Sequence, residues 1–368
     1  MPDPVYMDYN ASVPIRPEAA AAVADALAMG GNPSSVHRHG RAARRVIEDA
    51  REQVAAAIGA RAPEIIFTSG ASEANSLALL GVNTARVVIS AIEHDSVRRA
   101  CPAAEVVPVT PAGVVDLDAL AALLESDARP ALVSLMMANN ETGVLQPVAE
   151  AARIAHFHGS LLHCDAVQAV GRVAVDVKSL DADLLSLSAH KLGGPAGVGA
   201  LYRREAIALA PQLRGGGQER GQRAGTENLA GIAGFAAAAE IAVGELDKAA
   251  HLADLRDELE REVAAAAPGA VFFGAEATRL PNTTCLGLPG ASAETQVMAL
   301  DLAGVSVSAG SACSSGKLRP SLVLQAMGVP VDLARTAIRV SLGWRSVASD
   351  IDRFMTAWRG LSAHGLAA

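Results

Sequence analysis

Asp183-Leu-Leu-Ser-Leu-Ser-Ala-His-Lys191 is an apolar run that ends in a lysine, and Gly193, Gly194 and Pro195 follow it. The run has the length and aliphatic content of a buried strand, and the glycines and proline after it predict a turn. Ligands of open α/β sheets bind just beyond the carboxyl ends of the strands. The sequence therefore places the amine of Lys191 at the mouth of a ligand site.

Short aliphatic runs alternate with alanine-rich, helix-like stretches on both sides of this segment. The other runs are Glu64–Thr68, Arg86–Ala91, Glu105–Val109, Ala131–Met136, Ser160–His163 and Gly199–Arg203. Helical spacing follows in segments that start at Ser72, Asp116 and Pro147, with Ser72 and Asp116 as expected N-caps. Strands that alternate with helices predict an α/β fold with a mostly parallel sheet.

The pattern changes after an alanine-rich, helical stretch at Leu229–Val263, which we expect to bridge to a second unit. Short strands and helical patterns then predict a smaller α+β domain; they lie at Ala270–Phe273, Thr283–Leu288, Gly304–Val307, Leu318–Met327 and Ile351–Leu361. We divide the chain into an arm (residues 1–15), a large domain (16–255) and a small domain (256–368). Helices near Glu18–Met29 and Arg41–Ile58 are expected to pack on the small domain.

Composition excludes several classes of protein. With 31 basic and 39 acidic residues the 368-residue chain carries a net charge of −8, and 51% of it is hydrophobic, which excludes intrinsic disorder and disfavours nucleic acid or an anionic membrane as partner. No apolar run reaches the roughly 18 residues of a membrane-spanning helix. The first ten residues do not resemble a signal peptide, and the four cysteines form no C-x-x-C pair. These features predict a cytoplasmic location.

Two strand ends carry residues suited to one cofactor. A partly desolvated amine such as Lys191 forms Schiff bases, which is how pyridoxal phosphate is tethered; an ordinary surface lysine is the alternative. A second apolar run from Ser160 ends in Asp165, and a carboxylate there pairs with the pyridinium nitrogen of that cofactor. Gln168, three residues later, is within reach of the phenolic oxygen.

A phosphate site is predicted between the strand that includes Phe67 and the helix that follows it. The tight turn at Gly70 leaves free N–H groups at the helix start, which attract anions. Ser188 and His190, just before Lys191, add donors to such a phosphate. His94 follows another strand and is placed to stack on the ring; a capping role in a loop is the alternative.

Together these residues resemble the class V aminotransferase-fold pyridoxal enzymes, specifically the cysteine desulfurases of the nitrogenase and iron–sulfur maturation type. The resemblance extends over nearly the whole chain, through stretches at residues 7–11, 31–34, 68–73, 138–143, 163–168, 188–191, 215–220, 223–228, 311–313 and 338–343. It implies the PLP-dependent transferase fold (fold type I), with a large α/β domain and a smaller α+β domain.

The resemblance also implies roles for individual residues. Lys191 forms the Schiff base, Asp165 pairs with the ring nitrogen, and His94 stacks on the ring and is the candidate acid–base group. Contacts to the ring oxygen or substrate are implied for Gln168 and Asn140, and contacts to the phosphate for Ala71, Ser72, Ser188 and His190. Thr226 is implied to reach the phosphate of the neighbouring subunit, which predicts a homodimer.

Cys313 is the expected nucleophile. It lies between Gly310 and Gly316 in a small, polar stretch, which is typical of an exposed, mobile loop, here 308–320. Lys317, Arg319 or a nearby histidine is expected to favour its thiolate. In the family this cysteine takes sulfur from L-cysteine as a persulfide, leaving L-alanine, and delivers it to iron–sulfur cluster assembly or another acceptor protein. Cys101, Cys164 and Cys285 are expected to be packing residues.

Arg339 offers a two-pronged donor to the substrate carboxylate, and a structural ion pair is the alternative. Asn10 and Asn140 are the other expected substrate contacts. The histidine pairs at 37/39 and 156/158 have no further ligand at suitable spacing, so no metal site is predicted. Two positions depart from the family pattern: Gly193 replaces an aromatic residue or histidine, and Ala196 replaces a lysine.

Three other functions fit part of the pattern. A selenocysteine lyase or a cysteine-sulfinate desulfinase would use the same fold and cofactor on a neighbouring substrate. A non-catalytic sulfur-assembly scaffold would retain the fold alone, and the presence of Lys191, Asp165 and Cys313 argues against it. A plain aminotransferase would have no use for Cys313.

Overall fold

The computed structural model describes residues 4–309 and 321–365, so the predicted cysteine loop lies largely outside the described residues. Its strands are β1 (Val5–Tyr6), β2 (Ile65–Thr68), β3 (Arg86–Ser90), β4 (Glu105–Val107), β5 (Ala131–Met136), β6 (Leu161–Asp165), β7 (Leu184–Ser188), β8 (Gly199–Arg203), β9 (Val271–Phe272), β10 (Thr283–Gly287), β11 (Val305–Ser306), β12 (Ser308–Ala309) and β13 (Ala337–Ser341). Its helices are α1 (Pro17–Met29), α2 (Arg38–Ala56), α3 (Ala71–Gly81), α4 (Asp95–Arg98), α5 (Leu117–Glu125), α6 (Val148–Phe157), α7 (Leu229–Gly244), α8 (Ala249–Ala266), α9 (Ala293–Leu302), α10 (Leu322–Ala326), α11 (Val331–Ala334) and α12 (Ala348–Gly365).

The central sheet has the strand order β2-β8-β7-β6-β5-β3-β4. Neighbours from β7 through β4 pair in parallel, and β8 pairs antiparallel with both β7 and β2. The predicted mostly parallel sheet is confirmed. Asp116 caps α5 as predicted, because its side chain accepts from the Ala119 N–H. The predicted cap at Ser72 is wrong: Gly70 occupies that position, and Ser72 lies in the first turn of α3.

A second sheet, in the order β12-β13-β10-β9, is antiparallel. Next to it, β1 of the amino-terminal arm pairs in parallel with β11. The apolar cluster on this side combines Val5 and Met7 of the arm with β10, β13, α12 and the second half of α8, from Leu255 onward. The amino-terminal arm is therefore part of the smaller core, although it is far from that core in sequence.

The first two long helices pack on the large unit, not on the small one as predicted. Ala19 of α1 and Ile47 and Val54 of α2 belong to the large apolar cluster around the central sheet, together with α7. Gly234 of α7 lies so close to α1 that a Cβ atom there would be 2.5 Å from Val23. Small residues on α7 thus allow close helix packing, which the spacing of α1 and α2 alone does not reveal.

The alanine-rich bridge at 229–263 is two helices rather than one, with a break at 245–248. Most of α7 is buried in the large core. Across the described ranges, no single helix is long and apolar enough to cross a membrane. One pair of helices, Leu229–Gly244 with Leu246–Ala266, has sufficient length and apolar content when taken together, but it is bent by 53°.

Arg51 of α2 forms a buried ion pair that sequence analysis missed, because it is one of several arginines on this helix and no local signal distinguishes it from the others. Its Nη1 and Nη2 atoms lie 2.6 and 2.9 Å from the two carboxylate oxygens of Glu219, and both side chains are buried. Glu219 also accepts from the Phe67 N–H at 2.9 Å and has a positive φ of 45°. The pair thus fastens the loop around Glu219 to α2 and to the edge strand β2.

We predict that Arg51→Ala lowers the free energy of unfolding by about 3–5 kcal/mol, because it leaves the Glu219 carboxylate buried without its partner. Urea denaturation followed by circular dichroism measures this change. Arg45→Ala is the matched control: Arg45 is exposed on the same helix, and its loss is expected to change stability by less than about 0.5 kcal/mol. Equal effects of the two substitutions would contradict the assigned role of the buried pair.

Candidate active site

A polar cavity opens at the carboxyl ends of the parallel strands, between the central sheet and the smaller one. Most of the residues singled out in the sequence line it: Asn10, Ala71, Ser72, His94, Asn140, Asp165, Gln168, Ser188, His190, Lys191 and Arg339. Ser308, Ala309, Leu322 and Val323, on either side of the undescribed segment 310–320, line it as well. The fold therefore brings residues that are as far apart in sequence as Asn10 and Arg339 together around one cavity.

Lys191 lies in a short 3-10 turn, Ala189–Lys191, directly after β7. Its Nζ donates to the carbonyl oxygens of Asn10 at 2.5 Å and Ala11 at 2.7 Å. Burial, with the nearby charges of Arg172 and Arg339, lowers the pKa of Lys191 to about 7. A large fraction of this amine is therefore neutral and nucleophilic near neutral pH.

Asp165 is the last residue of β6 and is buried. One carboxylate oxygen accepts from the Val167 N–H at 3.1 Å, and the other accepts from Nδ2 of Asn75 at 2.8 Å. These two donors fix the plane of the carboxylate at the wall of the cavity. An anion held in this way is suited to pair with a protonated ring nitrogen.

The first turn of α3 faces the cavity with Ala71 and Ser72. Gly70 precedes it with a φ of 154°, which favours glycine, and the first N–H groups of the helix have no intrahelical acceptors. Glu73 in this turn forms an ion pair with Arg223 at 2.8 Å, and its carboxylate accepts from the Ser69 N–H at 2.7 Å. The turn is thus held in place, with its positive end open to an anion.

Ser188 and His190 flank this helix start from the end of β7. Ser188 is buried, and His190 is half-buried with its Nδ1 3.4 Å from the Ser12 Oγ. Burial and the charges of Lys191 and Arg172 lower the pKa of His190 to about 4. His190 is therefore neutral at physiological pH and presents an uncharged imidazole to the cavity.

His94 caps α4, the loop role that the sequence left open. Its Nδ1 accepts from the Ser96 N–H at 3.1 Å and lies 2.8 Å from the Ser96 Oγ. The side chain is exposed and lines the cavity, so capping and contact with a ligand are compatible.

Asn10 is the centre of a hydrogen-bond network that joins the amino-terminal arm to the residues around the cavity. Its carbonyl oxygen accepts from Lys191 and from Nε2 of Gln168 at 3.0 Å, and its buried side chain bonds Thr283, Asn282 and the Asn140 carbonyl. The Asn10 side chain thus makes contacts within the protein, and what Asn10 turns toward Lys191 is a carbonyl oxygen; its substrate contact stays a prediction.

Gln168 is held in turn by Arg172, which sequence analysis missed. The Arg172 guanidinium is buried and donates to both the side-chain and the main-chain oxygen of Gln168, and also to the Tyr9 carbonyl oxygen at 3.2 Å. A buried cation four residues after Gln168 thus orients its amide at the cavity.

Arg339 forms the ion pair that was the alternative to substrate binding. Its Nη2 lies 2.7 Å from Oδ1 of Asp8, and its Nη1 donates to the Asn140 carbonyl oxygen at 2.8 Å. Its Nε is buried and has no hydrogen-bond partner within residues 4–309 and 321–365. The guanidinium therefore retains donor capacity at the edge of the cavity while Asp8 fixes its orientation.

Two buried carboxyl groups near the cavity also escaped sequence analysis. Burial raises the pKa of Glu93 well above its ordinary value, and one of its oxygens accepts from the Met136 N–H at 2.7 Å. Burial raises the pKa of Glu141 to about 7, and Glu141 accepts from the Ser321 hydroxyl at 2.5 Å. Glu141 belongs to the quoted stretch 138–143 and Glu93 directly precedes His94, so only their burial distinguishes them from neighbouring polar residues.

The remaining candidates lie elsewhere. Thr226 is exposed and does not line the cavity of its own chain. Cys313 lies outside the described residues. Cys164 and Cys285 are fully buried in apolar clusters, where burial raises the pKa of each thiol, which confirms that they are packing residues; Cys101 is half-buried.

Comparison with known proteins agrees with this geometry. The aminotransferase class-V family model matches residues 5–354. The chain is 46% identical to a cysteine desulfurase of Cereibacter sphaeroides (95% of this chain, 94% of the relative) and 44% identical to cysteine desulfurase IscS of Dictyoglomus turgidum (95% and 92%).

A solved structure, a NifS-like protein from Rickettsia africae, superposes with a TM-score of 0.92 at 34% identity, covering 98% of this chain and 99% of the other. The fold predicted from the sequence resemblance, that of the PLP-dependent transferases, is confirmed. The chain belongs to the aminotransferase class-V family.

Proposed function

We propose that this chain is a cysteine desulfurase that converts L-cysteine to L-alanine and passes the sulfur through a persulfide on Cys313 to an acceptor protein. The observation that carries the proposal is the meeting of Lys191, Asp165 and the start of α3 in one cavity. The names of relatives at 44–46% identity support the same activity.

Pyridoxal 5'-phosphate is the proposed cofactor, and the donor set fits it. The N–H groups of Ala71 and Ser72, with Ser188 and His190, would hold its phosphate; Asp165 would hold its ring nitrogen. When bound, the cofactor supplies an aldehyde that condenses with an amine and a ring that accepts an electron pair from the substrate α-carbon.

Lys191 is proposed to hold the cofactor and then to move a proton at the substrate α-carbon. Both tasks need a neutral amine, and a pKa of about 7 provides one. The carbonyl oxygens of Asn10 and Ala11 accept from Nζ and keep it at the cavity. His94 is the proposed stacking group and second proton carrier, and Gln168 the proposed contact to the ring oxygen.

Arg339 is the proposed anchor for the substrate carboxylate, with Asn140 beside it. Its bond to Asp8 orients the guanidinium, and its Nε has no hydrogen-bond partner among the residues that the structure describes, which leaves a donor unused there. A substrate carboxylate held at this point would lie on the side of the cavity that faces the smaller sheet, next to Ser308 and Ala309.

The sulfur-transfer step is assigned to Cys313. As a thiolate it would attack the substrate sulfur and form a sulfur–sulfur bond, while the electron pair of the broken carbon–sulfur bond stays with the carbon, which takes up a proton. Cys313 would thus keep the sulfur as a persulfide, and the three-carbon product would leave as alanine. A protein thiol of an iron–sulfur scaffold or another acceptor would then take this sulfur. A cytoplasmic location is proposed with it, because Cys313 must be a free thiol in order to attack, and reducing surroundings keep cysteines in that form.

We predict that Cys313→Ser releases no detectable sulfide from L-cysteine in the presence of dithiothreitol, because a hydroxyl does not accept sulfur. The cofactor absorbance of the variant is expected to equal that of the unsubstituted protein. Methylene-blue assay of sulfide and absorbance spectra measure both. Cys101→Ser, at a half-buried cysteine, is the control and should keep full activity. Assaying L-selenocysteine beside L-cysteine distinguishes a selenocysteine lyase.

We predict that the rate of covalent attachment of pyridoxal phosphate to the cofactor-free protein rises with pH up to about 7 and levels off above it. Below this pKa the amine of Lys191 is protonated and unreactive, whereas an ordinary lysine would gain reactivity up to a pH of about 10. Stopped-flow absorbance measures the rate.

Variants of the lysines identify the group that titrates. Lys191→Ala should yield no borohydride-reducible linkage, and Lys178→Ala, at an exposed lysine, should behave as the unsubstituted protein. A rate that keeps rising to a pH near 10 would show that Lys191 is not desolvated as the structure indicates.

A homodimer is proposed, with Thr226 of one chain reaching the phosphate bound to the other. Exposure of Thr226 outside its own cavity is consistent with this. Sedimentation velocity is expected to give a dimer. Thr226→Ala should weaken cofactor binding about ten- to a hundredfold, the cost of one hydrogen bond to a charged group, without dissociating the dimer. If the unsubstituted protein is a monomer, and if Thr226→Ala binds the cofactor as tightly as it does, the shared site is refuted.

A further inference from the structure

One buried amide, that of Asn75, connects two candidate residues of the site. Asn75 lies on α3, one turn after Ala71, and is fully buried. Its Nδ2 donates to the Asp165 carboxylate at 2.8 Å and to the Ser96 Oγ at 2.8 Å. Both N–H bonds of the amide therefore have acceptors, which allows only one orientation of the side chain.

The surroundings of this amide also exclude the reverse orientation. The Oδ1 of Asn75 is buried and has no hydrogen-bond partner within residues 4–309 and 321–365. Turning the amide over would place this oxygen against the Asp165 carboxylate, with the loss of that hydrogen bond, and would make the Ser96 hydroxyl donate to Asn75 instead of to His94. The observed orientation leaves the Asn75 Oδ1 without a partner among the described residues and keeps the hydrogen bonds from Nδ2 to Asp165 and Ser96.

Ser96 carries the connection on to His94. Because the Ser96 Oγ accepts from Asn75, its own proton is free to bond the His94 Nδ1, which lies 2.8 Å away. The Ser96 N–H points to the same nitrogen at 3.1 Å. A main-chain N–H is only a donor, and the hydroxyl adds a second donor at the shorter distance, so the two together favour a lone pair on Nδ1, and neutral His94 carries its proton on Nε2.

We infer that Asn75 and Ser96 are positioning residues that orient Asp165 and fix His94 as the Nε2–H tautomer. The inference rests on the proposed function, because the proposed function assigns Asp165 to the ring nitrogen of the cofactor and His94 to ring stacking and proton transfer. Asn75 holds the carboxylate that would face the ring nitrogen. Through Ser96 the same amide keeps Nδ1 of His94 on the helix cap. The proton of the imidazole is then on Nε2, on the other side of the ring, and Nε2 can act as a hydrogen-bond donor.

The tautomer is tested by ¹⁵N NMR of histidine side chains in the cofactor-loaded protein, at about pH 8.5, where an ordinary imidazole is neutral. The His94 signal is identified by its absence in His94→Gln. We expect a pure Nε2–H pattern in the unsubstituted protein and in Ser96→Thr, which keeps the hydroxyl. Ser96→Ala should add a measurable fraction of the Nδ1–H form, and the remote control Ser126→Ala should not.

The hold on Asp165 is tested by cofactor affinity, measured as the dissociation constant of pyridoxal phosphate at equilibrium. Asn75→Ala removes a hydrogen bond to a charged group and should weaken binding about ten- to a hundredfold. Asn75→Asp sets a second anion beside Asp165 and should weaken it at least as much. Ser76→Ala, at a half-buried serine on the same helix, is the control.

The outcomes separate the inference from the proposed function. If the unsubstituted protein binds no pyridoxal phosphate, the proposed function fails, and the tautomer of His94 in the free protein still decides whether Ser96 acts as inferred. If the unsubstituted protein and Asn75→Ala bind equally well, Asn75 does not position Asp165. If Asn75→Ala does not fold, the Ser96 variants decide, and an unchanged tautomer in Ser96→Ala overturns the inference.

Discussion

The parallel pairing of β5, β6 and β7 is the constraint on which the site depends. In this register Met136, Asp165 and Ser186 lie side by side, so neighbouring strands end at the same edge of the sheet. β6 ends in Asp165, and β7 continues for one turn to Lys191. A shift of one residue would turn Asp165 to the opposite face of the sheet. Hydrogen bonding between strands thus sets the separation of an anion and an amine that are 26 residues apart in sequence.

The amino-terminal arm completes the surroundings of this amine. Asn10 bonds Lys191 and Gln168 with its carbonyl oxygen, while its main-chain N–H donates to Ser341 of the smaller sheet at 2.9 Å. The arm therefore covers the lysine on one side and joins the two sheets on the other. Because this cover excludes water, it contributes to the burial that lowers the pKa of Lys191. The chemistry of position 191 is thus tied to the packing of the smaller core.

Local patterns predicted the strands, Lys191 and Asp165 because each signal lies within a few residues. Other features depend on contacts between residues of two different secondary-structure elements, and such contacts leave no signal in the sequence around either residue. Arg51 is one of several arginines on α2, and only its distance to Glu219 shows that it is buried. Asn75 has the helical spacing of an ordinary core residue. Its positioning role is evident only from the fold, in which α4 places Ser96 within hydrogen-bond distance of its amide. Ser72 was misassigned as a cap because Gly70 takes that position without using a side chain.

Gly193, which the sequence resemblance marks as a departure from the expected pattern, shows how packing between distant residues supports a loop that has a small residue. Its φ is 88°, and a Cβ atom there would lie 2.8 Å from the Arg16 side chain. Arg16 occupies that space, donates its main-chain N–H to Gly193 at 2.8 Å and its Nε to the Leu192 carbonyl oxygen at 3.2 Å, and pairs with Glu245. The loop after Lys191 is thus held from outside by an arginine, so the small residue does not leave it unsupported. A bulky side chain at 193 would have to displace Arg16 and, with it, the junction between the arm and α1.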